Sequence, residues 1–188
     1  MVKYLIAGLG NIGEEYAGTR HNIGFRILDA LADAHGIRFE SRRLADSCPL
    51  EFKGRTFLLI KPTTYVNLSG RAVHYWLKKG KIPLERLLVV LDDIALPFGQ
   101  LRLRARGGSG GHNGLEHINQ ILGTQNYARL RFGVGEGFHR GQQVSHVLGE
   151  WTDEERSALD ERIRIACEII LGFGTLGLEQ TMNEYNNR

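Results

Sequence analysis

Apolar and polar positions along this chain switch between two spacings, and the switches mark out its elements. Val2 to Leu9 is a short, nearly unbroken apolar run that closes on glycine, which predicts a buried strand. From Asn22 to His35 the apolar residues Ile23, Ile27, Leu28 and Leu31 recur at helical spacing, and Gly36 supplies the stop. Residues around Leu50 to Lys53 and Arg55 to Lys61 flank Gly54 as a hairpin that ends at Pro62. Ser69 is the predicted cap of a helix with Val73, Trp76 and Leu77 on one face. Leu87 to Leu91 is a second buried strand, while Gln100 to Arg106 and Arg129 to Val134 alternate residue by residue, as half-exposed strands do. Between those two, Asn113 to Leu122 predicts a short helix. Thr152-Asp153-Glu154-Glu155 is a helix start, and Ile163, Cys167 and Ile170 carry a long helix onward from it. A last helix is expected over Leu178 to Tyr185.

Strands and helices therefore interleave throughout, with no internal repeat and no low-complexity linker. At 188 residues and 42% hydrophobic, the chain suffices for one well-buried core and is short for two. The expectation is a single α/β domain over residues 1–188, with a mixed, mostly parallel twisted sheet flanked by helices. The net charge of +3 is unevenly distributed. Ala95 to Gly149 holds six Arg against two Glu, whereas Glu150 to Arg188 holds nine acidic and four basic residues. A basic middle with an acidic tail allows a polyanion at one face, although solvated surfaces also show mild asymmetry.

Cys48 and Cys167 stand apart from each other and from any His pair, which fits neither a disulfide framework nor a zinc site. The expected setting is a reducing cytoplasm. No cleavable apolar leader follows Met1, and no apolar run approaches the ~18 residues of a membrane span.

Chemistry-bearing residues concentrate in glycine-rich stretches. Gly8-Leu9-Gly10-Asn11-Ile12-Gly13 runs on through Tyr16 to Thr19-Arg20-His21-Asn22. Thr64 to Gly70 presents Asn67, Gly107 to Gly114 presents Asn113, and Leu91-Asp92-Asp93 ends a strand with carboxylates. Gly8-x-Gly10-x-x-Gly13 matches the dinucleotide-binding fingerprint, but that motif needs Gly13 to open a helix. Here the helix starts near Asn22, and the acids at the right distance, Asp29 and Asp33, fall inside it. Gly107-x-Ser109-x-Gly111 matches a nucleophile elbow, yet no His follows the acids Asp153 or Asp160 that would complete it. His21, Asp92, Asn11, Asn67 and Asn113 remain. Asn in glycine-rich turns also satisfies local backbone, so residue types alone leave a structural role open. His21 differs from His35, His74 and His117, which lie in or near helix patterns and are expected to pack or face solvent. It precedes a helix beside the end of the first strand, and open α/β sheets bind ligands at such ends.

Five motifs in order make the comparison specific: Gly-x-Gly-Asn-x-Gly-x-x-Tyr-x-x-Thr-Arg-His-Asn, Lys-Pro-Thr-Thr-Tyr-x-Asn-Leu-Ser-Gly, Asp-Asp-x-x-Leu-Pro-x-Gly, Gly-Gly-x-Gly-Gly-His-Asn-Gly-Leu and Arg-Leu-Arg-x-Gly-x-Gly. With Val147-Leu148-Gly149 and the tail Met182-Asn183-x-Tyr185-Asn186, the chain closely resembles the bacterial-type peptidyl-tRNA hydrolases almost end to end.

The resemblance implies hydrolysis of the ester between a peptide and its tRNA by a monomeric enzyme using no metal or organic cofactor. Its partner would be peptidyl-tRNA, met at the acceptor stem and 3′ end, with no membrane involved. By the same resemblance His21 is the base, Asp92 its supporting acid, and Asn11, Asn67 and Asn113 the substrate-contacting amides. Tyr16 and Tyr65 match positions lining the tRNA 3′-end site, and Arg104 and Arg131 match basic residues that clamp a phosphate. An ester is activated enough for attack by a water that a neutral His deprotonates. Asp92 would stabilise the imidazolium, and an Asn N–H the oxyanion. Ile12, Val66, Leu91 and Ala95 depart from the family's usual proline, methionine, histidine and acid. A non-catalytic RNA-binding relative, similar to an organellar splicing factor, is the alternative. Without the resemblance, alternating Arg102, Arg104 and Arg106 fit a solvated edge strand better than a phosphate clamp.

Overall fold

Alternating side chains on the central strands are apolar on both sides, and the fold covers both. The computed structural model describes residues 1–135, 138 and 141–188. Among these, β1 (Val2–Gly8), β2 (Glu40–Ser41), β3 (Ala45–Phe52), β4 (Arg55–Pro62), β5 (Leu87–Asp93), β6 (Leu101–Arg104) and β7 (Ala128–Gly133) form one mixed sheet in the order β2-β3-β4-β1-β5-β7-β6. The central strands β4, β1, β5 and β7 are mutually parallel. β3 and β2 on one flank and β6 on the other pair antiparallel. This is the expected α/β domain with a parallel centre.

Ile6, Leu88, Val90 and Leu130 point to one face, under α1 (Ile23–Ala34) and α5 (Asp153–Thr175). Leu5, Ala7, Val89 and Leu91 point to the other, under α2 (Ser69–Gly80) and α3 (Asn113–Leu122). Buried on both faces, β1 and β5 have near-continuous apolar stretches, as helices on either side require, whereas β7 alternates apolar residues with Arg129 and Arg131. A five-residue helix, α4 (Gln143–Val147), leads into α5, and α6 (Leu178–Tyr185) closes the chain. No helix among the described residues is long and apolar enough to cross a membrane.

Several sequence expectations are refined. β3 begins at Ala45, well before Leu50, because β4 pairs with it from Ala45↔Pro62 through Phe52↔Arg55, while its outer neighbour β2 pairs only at Asp46 and Ser47. Pro49 lies beyond that pairing and is exposed, a place where a strand tolerates a missing N–H. Ser69 does not cap α2: it is buried, and its hydroxyl donates to Val66 O at 2.6 Å. The Gly70 N–H, an orphan donor of that helix start, is accepted instead by His117 Nδ1 at 2.9 Å. Gly177, Thr152 and the Thr152–Glu155 capping box stand as the α6 and α5 starts. Asn186 in the tail pairs with the open edge of β6, accepting from Leu103 N at 2.8 Å and donating to Leu103 O at 3.1 Å. One side chain thereby replaces a neighbouring strand.

The first glycine motif serves packing. Cβ atoms built at Gly8 and Gly24 would lie 2.5 Å from Gly24 O and Leu9 N respectively, so α1 starts directly against the end of β1. Residues 14–22 pass through two short 3-10 turns before α1, so Gly13 opens no dinucleotide-binding helix.

Candidate active site

β1 and β5 end side by side, and the segments leaving them build one cleft. Asp92 is the penultimate residue of β5 and is almost fully buried. His21 sits in the turn before α1, held there by the close approach of α1 to β1. Its Nδ1 lies 2.9 Å from both oxygens of Asp92. Such a contact places the proton on Nδ1 and leaves the Nε2 lone pair facing the cleft. Among the described residues Nε2 makes no hydrogen bond to protein.

A second histidine completes the arrangement. His112 Nε2 lies 2.9 Å from Asp92 Oδ1, and the two imidazole centroids are 4.8 Å apart. Its Nδ1 accepts the Gly114 and Leu115 N–H groups at 3.1 and 3.3 Å, capping α3. An accepting Nδ1 leaves Nε2 as the nitrogen that donates to Asp92. Asp92 thus receives donors from both sides. Burial alone would raise its pKa; the charge and hydrogen bonds of His112, then those of His21, outweigh burial and hold the carboxyl well below its ordinary range. His21 is balanced the other way. Burial lowers its pKa, but the hydrogen bond and charge of Asp92 prevail and raise it above the usual 6.5. His21, Asp92 and His112 also bring one donor atom each within 4.8 Å of one another, close enough to hold a cation. Metal binding there would have to displace the Nε2 proton of His112 and the Nδ1 proton of His21.

Asn11 forms the opposite lip. Its backbone N–H donates to Asn22 Oδ1 and its carbonyl accepts from Asn22 Nδ2, both at 2.8 Å. This reciprocal pair locks the β1–α1 turn. The Asn11 side-chain oxygen accepts the Val66 N–H at 2.8 Å, so its Nδ2 is the group left to donate into the cleft.

The cleft encloses about 360 Å³ and is lined by Asn11, His21, Tyr65, Asn67, Asp92, Asn113 and Arg131, together with Ser109, His112 and apolar residues of α4. Seven of the sequence-derived site residues therefore meet in one place. Tyr16 lies half-buried in a 3-10 turn and is not among the lining residues; Arg104 is exposed on β6, outside the cleft. Ser109 Oγ contacts only the Gly111 N–H, at 3.4 Å, and no base among the described residues bonds it. His112 was not singled out from the sequence, where it reads as the end of a glycine run. Its signal was a polar residue immediately before a helix pattern.

A cationic edge adjoins the cleft. Arg102 faces Arg131, and Arg104 faces Arg129, across the β6–β7 pairing. Arg129 is fully buried and donates to Gln125, Tyr127, Gly107 and Gly108 carbonyls, which holds the glycine loop that ends at His112. Arg131 donates to Gly108 O at 2.8 Å and lies 3.7 Å from Asp93. Arg102 donates to the Asn186 carbonyl. Arg104 alone of the four has no hydrogen bond or ion pair among the described residues. Like charges directly opposite on a sheet cost stability unless something anionic lies over them.

A family model described as peptidyl-tRNA hydrolase matches residues 5–188. A peptidyl-tRNA hydrolase from Phocaeicola vulgatus is 57% identical over 187 residues, covering all of both chains. Another from Caldanaerobacter subterraneus subsp. tengcongensis is 44% identical, covering 97% of this chain and 99% of that one. The crystal structure of peptidyl-tRNA hydrolase from Acinetobacter baumannii superposes with a TM-score of 0.91 at 36% identity, covering 97% of this chain and 94% of the other.

Proposed function

The chain belongs to the peptidyl-tRNA hydrolase family, and from that premise we propose that it hydrolyses the ester joining a peptide, or an N-blocked aminoacyl group, to tRNA by water attack at His21. The single observation that carries this mechanism is the His21 Nδ1 contact of 2.9 Å to both Asp92 oxygens. It leaves Nε2 as an unprotonated acceptor aimed into the cleft.

Water held at Nε2 gives up a proton as its oxygen bonds to the ester carbonyl carbon. Asp92 stabilises the resulting imidazolium. The carbonyl oxygen becomes an oxyanion, and Asn11 Nδ2 is placed to donate to it. Collapse breaks the bond from the carbonyl carbon to the ribose 3′ oxygen, which takes the proton back from His21 and leaves as a hydroxyl. The peptide departs as a carboxylate with loss of one proton. Asn67 and Asn113 line the same cleft and are assigned to the peptide backbone, which suits substrates of any sequence. Tyr65, 57% exposed at the rim, is assigned to the terminal adenosine as a stacking surface. Arg104 and Arg131 are assigned to an acceptor-stem phosphate. They are diagonal neighbours across two strands, and the facing arginines favour an anion there.

A monomer in the cytoplasm using no metal is part of the same proposal. A purified sample incubated with peptidyl-tRNA should release free tRNA, with chelator present or absent, and Ser109→Ala should retain most of that activity. An acyl group trapped on Ser109 would overturn water attack. The RNA-binding alternative is disfavoured by the intact His21–Asp92–His112 geometry, which binding alone does not require.

A further inference from the structure

Arg20 is the residue beside the base, and the mechanism gives it no work. It is only 8% exposed, an unusual place for a charge, and its Nε is buried without a hydrogen-bond partner among the described residues, so the two terminal nitrogens carry its fixed contacts. Its Nη1 donates to His146 O at 3.0 Å, and its Nη2 donates to Glu155 Oε1, also at 3.0 Å. The guanidinium lies over the Trp151 ring at 5.8 Å. Its backbone N–H donates to Gly149 O at 3.0 Å, and Thr19 bridges to Glu150. Every one of these partners belongs to α4, to α5 or to the link between them. Glu155 Oε1 accepts the Thr152 N–H as well, so the same carboxylate that caps α5 holds Arg20.

α4 matters because it forms one wall of the cleft, through Gln143, Val144 and Val147, with Leu148 directly after it. Val144 and Leu148 keep 68% and 39% of their surface exposed there. Five residues make barely more than one helical turn, which has no stability of its own. Its position must come from tertiary contacts: the Arg20 side-chain and backbone bonds, the Thr19–Glu150 bridge, Val147 packed against the core, and His146 Nε2 donating to Val134 O at 3.1 Å.

We infer that Arg20 is a positioning residue for the reaction: its guanidinium fastens the α4 wall at a fixed distance from His21, and so sets substrate binding and not the chemical step. The inference rests on the proposed hydrolysis for its kinetic consequence, but not for its structural one. Arg20→Lys keeps a charge for Glu155 yet loses the planar fork that reaches His146 O at the same time. Gly149→Ala tests the same fastening while leaving Arg20 itself in the sequence. A Cβ there would stand 3.0 Å from Arg20 Nη1 and 3.2 Å from His146 O.

Hydrogen exchange of the free protein reads the structural half. In both variants the α4 amides should exchange roughly tenfold faster or more, while α3 keeps its protection. Steady-state hydrolysis of peptidyl-tRNA reads the other half. KM should rise about tenfold, with kcat within about threefold and the midpoint of the pH–rate profile unmoved. Unchanged α4 exchange in both variants would overturn the inference. So would a fall in kcat at constant KM, or a shifted midpoint, which would make Arg20 an electrostatic modulator of His21. Should Arg20→Lys fail to fold, Gly149→Ala decides alone. Absence of hydrolysis by the unaltered protein would defeat the proposed function instead, and hydrogen exchange would still decide the fastening.

Discussion

His112 reaches Asp92 with one ring nitrogen, Nε2 at 2.9 Å from Oδ1, while its other nitrogen caps α3 through two backbone N–H groups. The two functions are separable by substitution. His112→Asn places an amide oxygen where Nδ1 was and keeps the cap, but withdraws the donor to Asp92. His112→Gln reaches Asp92 and gives up the cap. The first should keep the cap but lose about 1.5–3 kcal/mol with the bond to buried Asp92, and lose roughly tenfold or more in kcat. The second should retain more activity and lose about 1 kcal/mol of stability, the usual cost of an absent cap. Urea unfolding and steady-state rates on both variants check this; equal loss of both properties in each would deny the division.

The pH dependence follows from the same triad. In the proposed mechanism hydrolysis needs neutral His21, whose pKa is raised above 6.5 because Asp92 outweighs burial. The rate should climb with pH and reach half-maximum above 6.5. Asp92→Asn removes the cause of the raised value and leaves burial, so the midpoint should move to lower pH while the plateau falls. Stability carries the matching signs. The proton on His21 stabilises the fold fully below its unfolded pKa, and that contribution is lost as pH rises through the raised folded value. The Asp92 contribution is present above the ordinary 3.8 and disappears as pH falls through its lowered value.

Much of this was legible in the sequence, for identifiable reasons. α3 and α6 begin and end where the apolar spacing predicts, because each is amphipathic and flanked by residues that stop a helix. α4 was invisible: Gln143 to Val147 is too short to show a period, and tertiary bonds hold it. Asn11, His21 and Asp92 meet because strand ends gather at one edge of a parallel sheet, a rule available from the strand pattern alone. What no pattern announces is a side chain used at both ends. His112 and Ser69 bond to Asp92 and Val66 O, partners outside their own helices that helical spacing does not show.

Asn11 can only donate toward the cleft, since its oxygen is engaged by Val66 N–H. A donor suits a carbonyl and cannot neutralise an ammonium. N-blocked aminoacyl-tRNA should therefore be cut faster than aminoacyl-tRNA with a free α-amino group. Asn11→Asp keeps an oxygen for Val66 and replaces the donor with a charge. The ratio of the two rates should narrow, measured with one tRNA carrying the amino acid in either form; an unchanged ratio would assign the discrimination to another residue.

Arg104 and Arg131 give a salt signature. Each Ala substitution should weaken tRNA binding similarly for all sequences and flatten the slope of log affinity against log salt by about one unit. A peptide ester on the terminal nucleotides alone should be cut almost equally by Arg104→Ala, which lies outside the cleft, and by the unaltered protein. Unaltered salt dependence would make the arginines a solvated strand face.

The central claim is that His21 Nε2 takes the proton from the attacking water. The most direct measurement is single-turnover hydrolysis of peptidyl-tRNA by His21→Ala, with folding verified by circular dichroism and substrate binding measured separately. The predicted result is a loss of roughly 10²–10⁴ in the rate of ester cleavage, the range of a general base, with tRNA affinity little changed. Cleavage by the folded variant at close to the normal rate would contradict the mechanism.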